Sequence, residues 1–253
     1  MTDSKTMAYI NMYAVLGTME DLCRLDAKAK EILSELKKPV SLAFEVKDGP
    51  AATLTFSSSG CRMQDGAGAC DIKIPVSSCE KFNKIINGEV TPIPSKGFAK
   101  IGFLLKTFTA LTDRLTEFLR PSEENLADRS FFELSTVLTF YTISVALSQI
   151  GNQDPIGKAS ASYIVDGDVS FGIKDGPTST IRIKDNHLVT IKQAPENPRA
   201  VMCFNGIDLA RALFTGKANS LDCVGKGEIE IKGMVSMVDN LNRILARVAM
   251  YLA

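Results

Sequence analysis

Residues 200–253 decide the fold, and they read AVMCFNGIDLARALFTGKANSLDCVGKGEIEIKGMVSMVDNLNRILARVAMYLA. A short apolar run at the start predicts a strand, and apolar residues then recur at helical spacing until Gly216, where a helix is expected to end. The tetrapeptide EIEI at 228–231 alternates charged and apolar residues, as a half-buried strand does. A second helical stripe follows Gly233 and continues to Leu252. The predicted order is strand, helix, strand and long amphipathic helix.

The same order occurs earlier in the chain, between residues 40 and 121. Four anchors repeat there, with an offset that grows only from 127 to 130 residues. They are Lys-Asp-Gly-Pro at 47–50 and 174–177, Gly88 and Gly216, Lys96-Gly97 and Lys226-Gly227, and Leu111 and Leu115 with Leu241 and Leu245. Ordered anchors with so little drift indicate an internal repeat. We therefore predict two tandem domains, 1–121 and 130–253, joined by a polar linker at 122–129.

Periodicity and capping patterns predict the remaining elements. An amphipathic helix is expected at 18–38, and Ser77 with Glu80 forms a capping-box pattern for a helix that ends at Gly88. Alternating residues predict a meander in the first domain with a last strand at 99–103, before a long helix that ends at Pro121. The strands predicted in the second domain are 160–165, 169–174, 179–184, 187–192 and 200–204. Lys-Asp-Gly-Pro is predicted to be a hairpin turn, because glycine tolerates positive φ and proline terminates strand pairing.

The helix predicted at 131–150 is the most apolar in the chain, and residues 134–150 carry no charge. A membrane span needs about 20 mostly apolar residues. Serine, threonine and glutamine side chains interrupt this run, so we expect a helix buried between the two halves rather than an integral membrane span.

Composition limits the classes of partner and the compartment. The 253 residues include 29 basic and 29 acidic residues without a long run of one sign, so neither nucleic acid nor an anionic membrane surface is an expected ligand. The six cysteines lie mostly in apolar runs, where a reduced thiol behaves as a small hydrophobic side chain. No charged-then-apolar leader opens the chain, and we expect a cytoplasmic protein.

Motifs for catalysis or metal binding are weak. His187 is the only histidine, which excludes HExxH zinc sites. Cys61, Cys70 and Cys79 recur every nine residues, whereas zinc sites usually begin with two ligands separated by two to four residues. Gly66-Ala67-Gly68 lacks the strand-to-helix context of a dinucleotide fingerprint. We therefore predict no catalytic residue, no metal and no cofactor, and hence a protein that is not an enzyme.

Two motifs near the C-terminus resemble the sterol carrier protein-2 family: Phe-Thr-Gly-Lys-Ala at 214–218 and Gly-Glu-Ile-Glu-Ile-Lys-Gly at 227–233, followed by the closing amphipathic helix. The likeness is good over 169–252 and weaker over 40–121, where residues 89–94 replace the usual loop and Ile101-Gly102-Phe103 replaces Ile-Lys-Gly. The resemblance implies an α/β (α+β) fold of two tandem domains. Each would have a mainly antiparallel five-stranded sheet covered by helices, with a lipid-holding tunnel between sheet and helices.

The resemblance also indicates which residues would contact a ligand. Apolar side chains at helical spacing are usually ordinary core, and only the family likeness marks these as tunnel lining. Methionine suits a pocket that accepts several chain shapes, and Met234 and Met237 are expected on the inner face of the last helix. The candidate ligand contacts are Phe214, Met234, Met237, Val238, Leu241 and Leu245 in the second domain and Phe108, Leu111 and Leu115 in the first.

We expect non-catalytic binding or carriage of a hydrophobic molecule, such as a fatty acid, an acyl chain or another lipid. The second domain would hold the principal pocket and the first would be a divergent partner packed against it, with homo-oligomers possible. One alternative is an accessory or catalytic component of an acyl-CoA-handling enzyme system. Another is a pseudo-dimeric scaffold without a ligand.

Overall fold

The computed structural model describes residues 2–252, and of Leu221 the backbone only. The chain divides into two compact units, Asp3–Leu134 and a second that begins at Ser135. This division falls within one helix, a few residues beyond the predicted linker at 122–129. Each unit combines one β-sheet with covering helices, so the fold is mixed α/β.

The first unit begins with a nearly continuous helical segment formed by α1 (Ser4–Tyr9), a π-helical turn (Ile10–Val15), a 3₁₀ turn (Leu16–Thr18) and α2 (Met19–Leu25). Next come α3 (Ala27–Ser34), β1 (Val40–Val46), β2 (Ala51–Ser57), β3 (Gly60–Asp65), β4 (Ile72–Val76) and α4 (Cys79–Ile86). A 3₁₀ turn (Phe98–Lys100), a π-helical segment (Phe103–Phe108), α5 (Thr109–Leu119) and α6 (Glu123–Ala127) complete the unit.

The sheet of the first unit has four strands in the order β3-β2-β1-β4. β1 pairs antiparallel with β2 and parallel with β4, so the predicted antiparallel sheet is only partly right. Alternate side chains of β1, among them Leu42 and Phe44, are fully buried, as expected for a sheet with one covered face. α3 packs on β2, α4 packs on β4 and α1, and α5 packs on α2 and α3.

The second unit contains most of α7 (Arg129–Gln153), followed by α8 (Pro155–Ala161), β5 (Gly167–Ile173), β6 (Thr178–Lys184), β7 (His187–Ile191), β8 (Ala200–Phe204), α9 (Ile207–Phe214), α10 (Ser220–Gly225), β9 (Ile229–Gly233) and α11 (Val235–Leu252). Its five-stranded sheet has the order β7-β6-β5-β8-β9. β5 and β8 are parallel and the other neighbours are antiparallel.

Four strands of each sheet have the same connectivity, and the shared Lys-Asp-Gly-Pro sequence makes the same turn in both. The amide of Val46 donates to Pro50 at 3.1 Å, and that of Ile173 donates to Pro177 at 2.9 Å. Asp48 and Asp175 both have φ of 57°, so the aspartate, not the glycine, takes the left-handed conformation. The predicted hairpin turn is therefore confirmed, with a different residue carrying the positive φ.

The predicted fifth strand of the first unit, at 99–103, is wrong because that segment is helical. Ser95 and Lys96 meet the sheet edge at Lys73, where Lys96 forms an isolated antiparallel bridge. Gly97 follows with φ of 94°, and a Cβ there would lie 2.5 Å from the Asp71 carbonyl oxygen. This close approach leaves room for glycine alone.

Gly233 has the same environment in the second unit, and this corrects one of the four repeat anchors. Its φ is 77°, a Cβ would lie 2.1 Å from the Arg199 carbonyl oxygen, and the preceding Lys232 pairs with Val201. The counterpart of Lys96-Gly97 is therefore Lys232-Gly233, not Lys226-Gly227. The longer connection in the second unit has room for α10 and a full strand β9.

Three further predictions are corrected by helix caps. The helix predicted at 18–38 breaks at Asp26, whose extended backbone lets its carboxylate cap α3 through the Ala29 amide at 2.9 Å. The strand predicted at 160–165 does not form: its first two residues end α8, which Asp154 caps, and residues 162–165 form a turn and a loop. The cap of α4 is Ser78 rather than Ser77.

The polar side chains of α7 are compatible with its burial. The hydroxyl groups of Thr139, Thr142 and Ser144 donate to the backbone carbonyl four residues earlier, at 2.7–2.9 Å. By length and composition α7 could span a membrane, but half of its most apolar window is buried within the protein. A core helix passes the same test, so this is weak evidence for a span.

We predict that Gly97→Ala and Gly233→Ala each lower the free energy of unfolding by about 1 to 3 kcal/mol, because alanine is strained at positive φ and its Cβ meets backbone atoms. The matched control is Gly68→Ala, where φ is not positive and a Cβ would meet nothing within 4 Å. Urea unfolding of the three variants measures the difference. Equal stability of all three would show that the close approach is not a constraint.

Candidate functional site

The candidate site lies in the second unit, between the buried face of its sheet and the helices α7, α9 and α11. Four aromatic rings form a continuous file there. Phe140 stacks on Phe171 with centroids 5.2 Å apart, Phe171 meets Phe204 at 5.4 Å, and Phe204 meets Phe214 at 5.7 Å. The first three rings are buried and Phe214 is half-buried. The file therefore gives an apolar path from the core to the surface at the end of α9.

The closing helix α11 supplies three of the predicted contacts to this interior: Met237, Val238 and Leu241 are 2% exposed or less. The helix packs on α8, β8 and β9. Leu245 is half-buried. Met234 precedes the helix and is 40% exposed, so its predicted place on the inner face is wrong.

The predicted contacts of the first unit lie in a region crowded with aromatic rings. Leu111 and Leu115 are buried on α5. Phe108, in the π-helical segment, lies 6.3 Å from Phe44 and 5.9 Å from Phe56 between ring centroids, so its ring fills space above the sheet. Whether any of these residues contacts a ligand stays a prediction.

Two open hollows of about 280 and about 410 Å³ lie on the surface of the first unit. Their linings are largely polar: Ser4, Lys5, Lys47, Asp48, Ser77, Ser78, Cys79 and Glu80 in one, and Thr55, Ser57, Ser59, Gly60, Cys61, Arg62 and Gln64 in the other. Neither is the apolar tunnel that the sequence led us to expect.

A buried ion pair joins the start of α8 to the closing helix of the second unit. Asp154 is 1% exposed and accepts hydrogen bonds from Arg247 Nη2 and the Tyr251 hydroxyl, both at 2.7 Å. It also caps α8 through the Gly157 amide at 2.9 Å. Burial acts to raise the pKa of Asp154, but the hydrogen bonds from Arg247, the Gly157 amide and Tyr251 outweigh it and hold the pKa below its usual value.

The first unit contains the same arrangement. Asp26 caps α3 and accepts from Nε and Nη2 of Arg114 at 3.1 and 2.9 Å. Arg114 lies 4.3 Å from the ring of Phe118, four residues later, as Arg247 lies 5.7 Å from the ring of Tyr251. Each arginine has an aspartate as its counter-charge, so these pairs fasten helices rather than offer chemistry. Sequence reasoning missed them, although an aspartate cap and an arginine four residues before an aromatic were both visible.

Arg211 on α9 is more deeply buried than Arg114 and Arg247, and it lacks an aspartate partner of their kind. It is 8% exposed, its Nη1 donates to Ser135 Oγ at 3.1 Å, and its Nε has no hydrogen-bond partner among the described residues. Burial lowers the pKa of this guanidinium. Sequence reasoning missed this residue too, and the available signal was a charge inside the apolar stripe formed with Ile207 and Phe214.

Within the part of the chain that the structure describes, no three His, Cys, Asp or Glu side chains gather as a metal site would require. Within residues 2–252 the six cysteines form no disulfide. His187 is exposed at the start of β7, with Nε2 3.4 Å from Asn152 Nδ2.

Comparison with known proteins found similar solved structures, all of low identity. A sterol carrier protein domain 2 of Helicoverpa armigera is 16% identical, with a TM-score of 0.37, over 44% of this chain and 89% of that one. A sterol carrier protein 2 from Yarrowia lipolytica in its apo form is 20% identical, with a TM-score of 0.33, over 44% and 91%. The ubiquinone synthesis protein UbiJ-SCP2 is 13% identical, with a TM-score of 0.34, over 44% and 96%.

No family model and no curated protein matches the chain. At these identities and TM-scores, the structural likenesses do not assign the chain to a family. Its function has to be argued from its own residues.

We predict that Asp154→Asn lowers the free energy of unfolding at pH 7 by about 3 kcal/mol, because it leaves the guanidinium of Arg247 buried without its counter-charge. The control is Asp168→Asn, which breaks the more exposed pair with Arg182 and should cost less than about 1 kcal/mol. Chemical denaturation of both variants gives the two values.

The pH dependence of this loss follows from the lowered pKa of Asp154. The ionised carboxylate stabilises the fold fully above the pKa of the unfolded chain, and this contribution disappears as the pH falls through the folded pKa. The difference between wild type and Asp154→Asn should therefore be constant above about pH 5 and shrink in more acidic solution. A difference that stays constant down to pH 2 would contradict this account.

Proposed function

We propose that this protein binds a hydrophobic small molecule, a fatty acyl chain or a related lipid, in its second unit and carries it without transforming it. The observation that supports the proposal is the aromatic file from Phe140 to Phe214, which links the core to the surface. A hydrocarbon chain gains about 0.8 kcal/mol for each methylene group removed from water. An apolar path of this kind can therefore bind a long chain without catalytic or metal groups.

The ligand would enter where the file reaches the surface. Phe214 is half-buried near the end of α9, and its ring contacts Phe204 and Phe140 at centroid distances of 5.7 and 6.5 Å. Displacement of this one ring opens the file without breaking a charged contact. Side chains such as Leu241 and Met237 would then border the inserted chain.

We further propose that the two units are tandem copies of a sterol carrier protein-2-like domain. Three features support this: the shared strand connectivity, the equivalent glycines Gly97 and Gly233, and the repeated aspartate–arginine pair. In the first copy, Phe103 and Phe108 lie over Phe56, at 5.4 and 5.9 Å between ring centroids. We therefore assign ligand binding to the second copy and a supporting role to the first.

We place the protein in the reducing cytoplasm, which is supported by six cysteines that form no disulfide within the described residues. A second candidate function is a scaffold that holds no ligand. Close packing of both interiors favours it, because Phe44, Phe56, Phe171 and Phe204 are each 2% exposed or less.

The test is direct binding of oleic acid to the full chain, together with lipid extraction and mass spectrometry of freshly purified protein. We expect about one oleic acid per chain, and we expect Phe214→Ala to weaken binding at least tenfold, since a buried phenylalanine contact contributes about 1.5 to 3 kcal/mol. The matched control is Phe98→Ala in the first unit, where the phenylalanine is 64% exposed. Its affinity should equal that of wild type.

Two other results would argue against parts of the proposed function. A wild-type protein that neither binds oleic acid nor yields extracted lipid would support the scaffold. Equal weakening by Phe98→Ala and Phe214→Ala would contradict the assignment of the site to the second unit.

A further inference from the structure

We infer that Arg211 is the anchor for the carboxylate of an acidic amphiphile, so that the ligand is a fatty acid rather than a neutral lipid. This inference rests on the proposed function and adds the chemical class of the headgroup.

The first step is the missing counter-charge. Among the described residues, Arg211 makes one side-chain hydrogen bond, from Nη1 to the neutral Ser135 Oγ, and its buried Nε has no partner. Arg247 Nε also lacks a partner, but Arg114 and Arg247, which are slightly more exposed, each contact an aspartate at 2.9 Å or less. Arg211 therefore differs from them in its missing counter-charge.

The second step is the free-energy cost of burying the Arg211 guanidinium without a counter-charge. Taking an ion out of water is unfavourable unless an opposite charge and hydrogen bonds replace the water. An arginine does not lose its proton under physiological conditions, so it cannot avoid the cost by becoming neutral. Binding of an anion at such a buried, incompletely paired guanidinium would offset part of this cost.

The third step is the match between the group and a carboxylate. The planar guanidinium presents parallel N–H groups that a carboxylate accepts with two hydrogen bonds. The Nε of Arg211 and its remaining terminal N–H groups are the donors for such a contact. Neutral alcohols and esters offer no compensating charge.

The fourth step is the position of Arg211 relative to the aromatic file. Arg211 and Phe214 are three residues apart on α9, and residues at this spacing share a helix face. A carboxylate at Arg211 therefore places the attached chain beside the Phe214 ring, where the apolar path reaches the surface. The headgroup site and the chain site are adjacent on one helix.

The experiment compares oleic acid with oleyl alcohol, which has the same chain and no charge, on the full-length protein at pH 8. Wild type should prefer the acid at least tenfold. Arg211→Met should lose this preference while its affinity for the alcohol stays within threefold of wild type. The matched control is Arg243→Met, which removes an exposed arginine paired with Asp239 on α11 and should keep the preference.

A second measurement separates a ligand anchor from a structural arginine without using a ligand. Removal of an uncompensated buried charge should stabilise the protein, so Arg211→Met should raise the midpoint of thermal unfolding by about 2 to 4 °C. If Arg211 instead holds the fold together, the midpoint should fall. Arg211→Gln provides a neutral variant that can still donate to Ser135.

The outcomes separate the two proposals. If wild type binds neither compound, the proposed function and the anchor both fail. If wild type binds both equally, or if Arg211→Met and Arg211→Gln keep the preference for the acid, the anchor fails and hydrophobic binding stands. A lower unfolding midpoint for both variants would also overturn the anchor.

Discussion

Each unit contains a buried aspartate that caps one helix and accepts hydrogen bonds from an arginine on a second, longer helix, and this pair holds the two helices together. In the first unit the pair is Asp26 and Arg114, and in the second it is Asp154 and Arg247. Each carboxylate has two functions: it satisfies the free amides of a helix start, and it neutralises a cation that could not otherwise be buried. The aromatic ring four residues after each arginine lies within 6 Å of its guanidinium. The pair therefore ties the capped helix to α5 in the first unit and to α11 in the second.

The two aspartate–arginine pairs make the surroundings of Arg211 unusual. Arg114 and Arg247 each pair with an aspartate, whereas the side-chain partner of Arg211 among the described residues is a neutral serine. The aromatic file beside it supplies the second half of an amphiphile site, an apolar path with one end at the surface. Neither feature alone would indicate an amphiphile site, because aromatic rings fill many cores and proteins sometimes bury a charge at a cost in stability. Arg211 and Phe214 lie on the same helix, and this places the headgroup site beside the chain site.

Sequence periodicity predicted the strands and helices whose apolar residues recur at regular spacing. The strands β5, β6 and β8, the Lys-Asp-Gly-Pro turn and the buried stripe of α11 all follow from spacing alone. The break at Asp26 was missed because the apolar stripe continues through it, so only the cap geometry shows that two helices meet there.

Ambiguity in the sequence explains two other differences. Lys-Gly occurs at 226–227 and again at 232–233, and only strand pairing shows which one matches Lys96-Gly97. The lipid-holding tunnel implied by the family likeness stays a prediction, because internal space depends on a few ring orientations, such as that of Phe108, which spacing does not specify. Arg211 was overlooked because its significance lies in what surrounds it in three dimensions.

The most direct test of the central claim is methionine methyl NMR of the full chain during titration with oleic acid. The nine methionines divide between the units, and Met12 and Met19 in the first are as deeply buried as Met237 in the second. We expect the Met237 signal to shift on binding while those of Met12 and Met19 stay in place. Shifts confined to Met12 and Met19, or no shift at any methionine, would contradict a ligand site in the second unit.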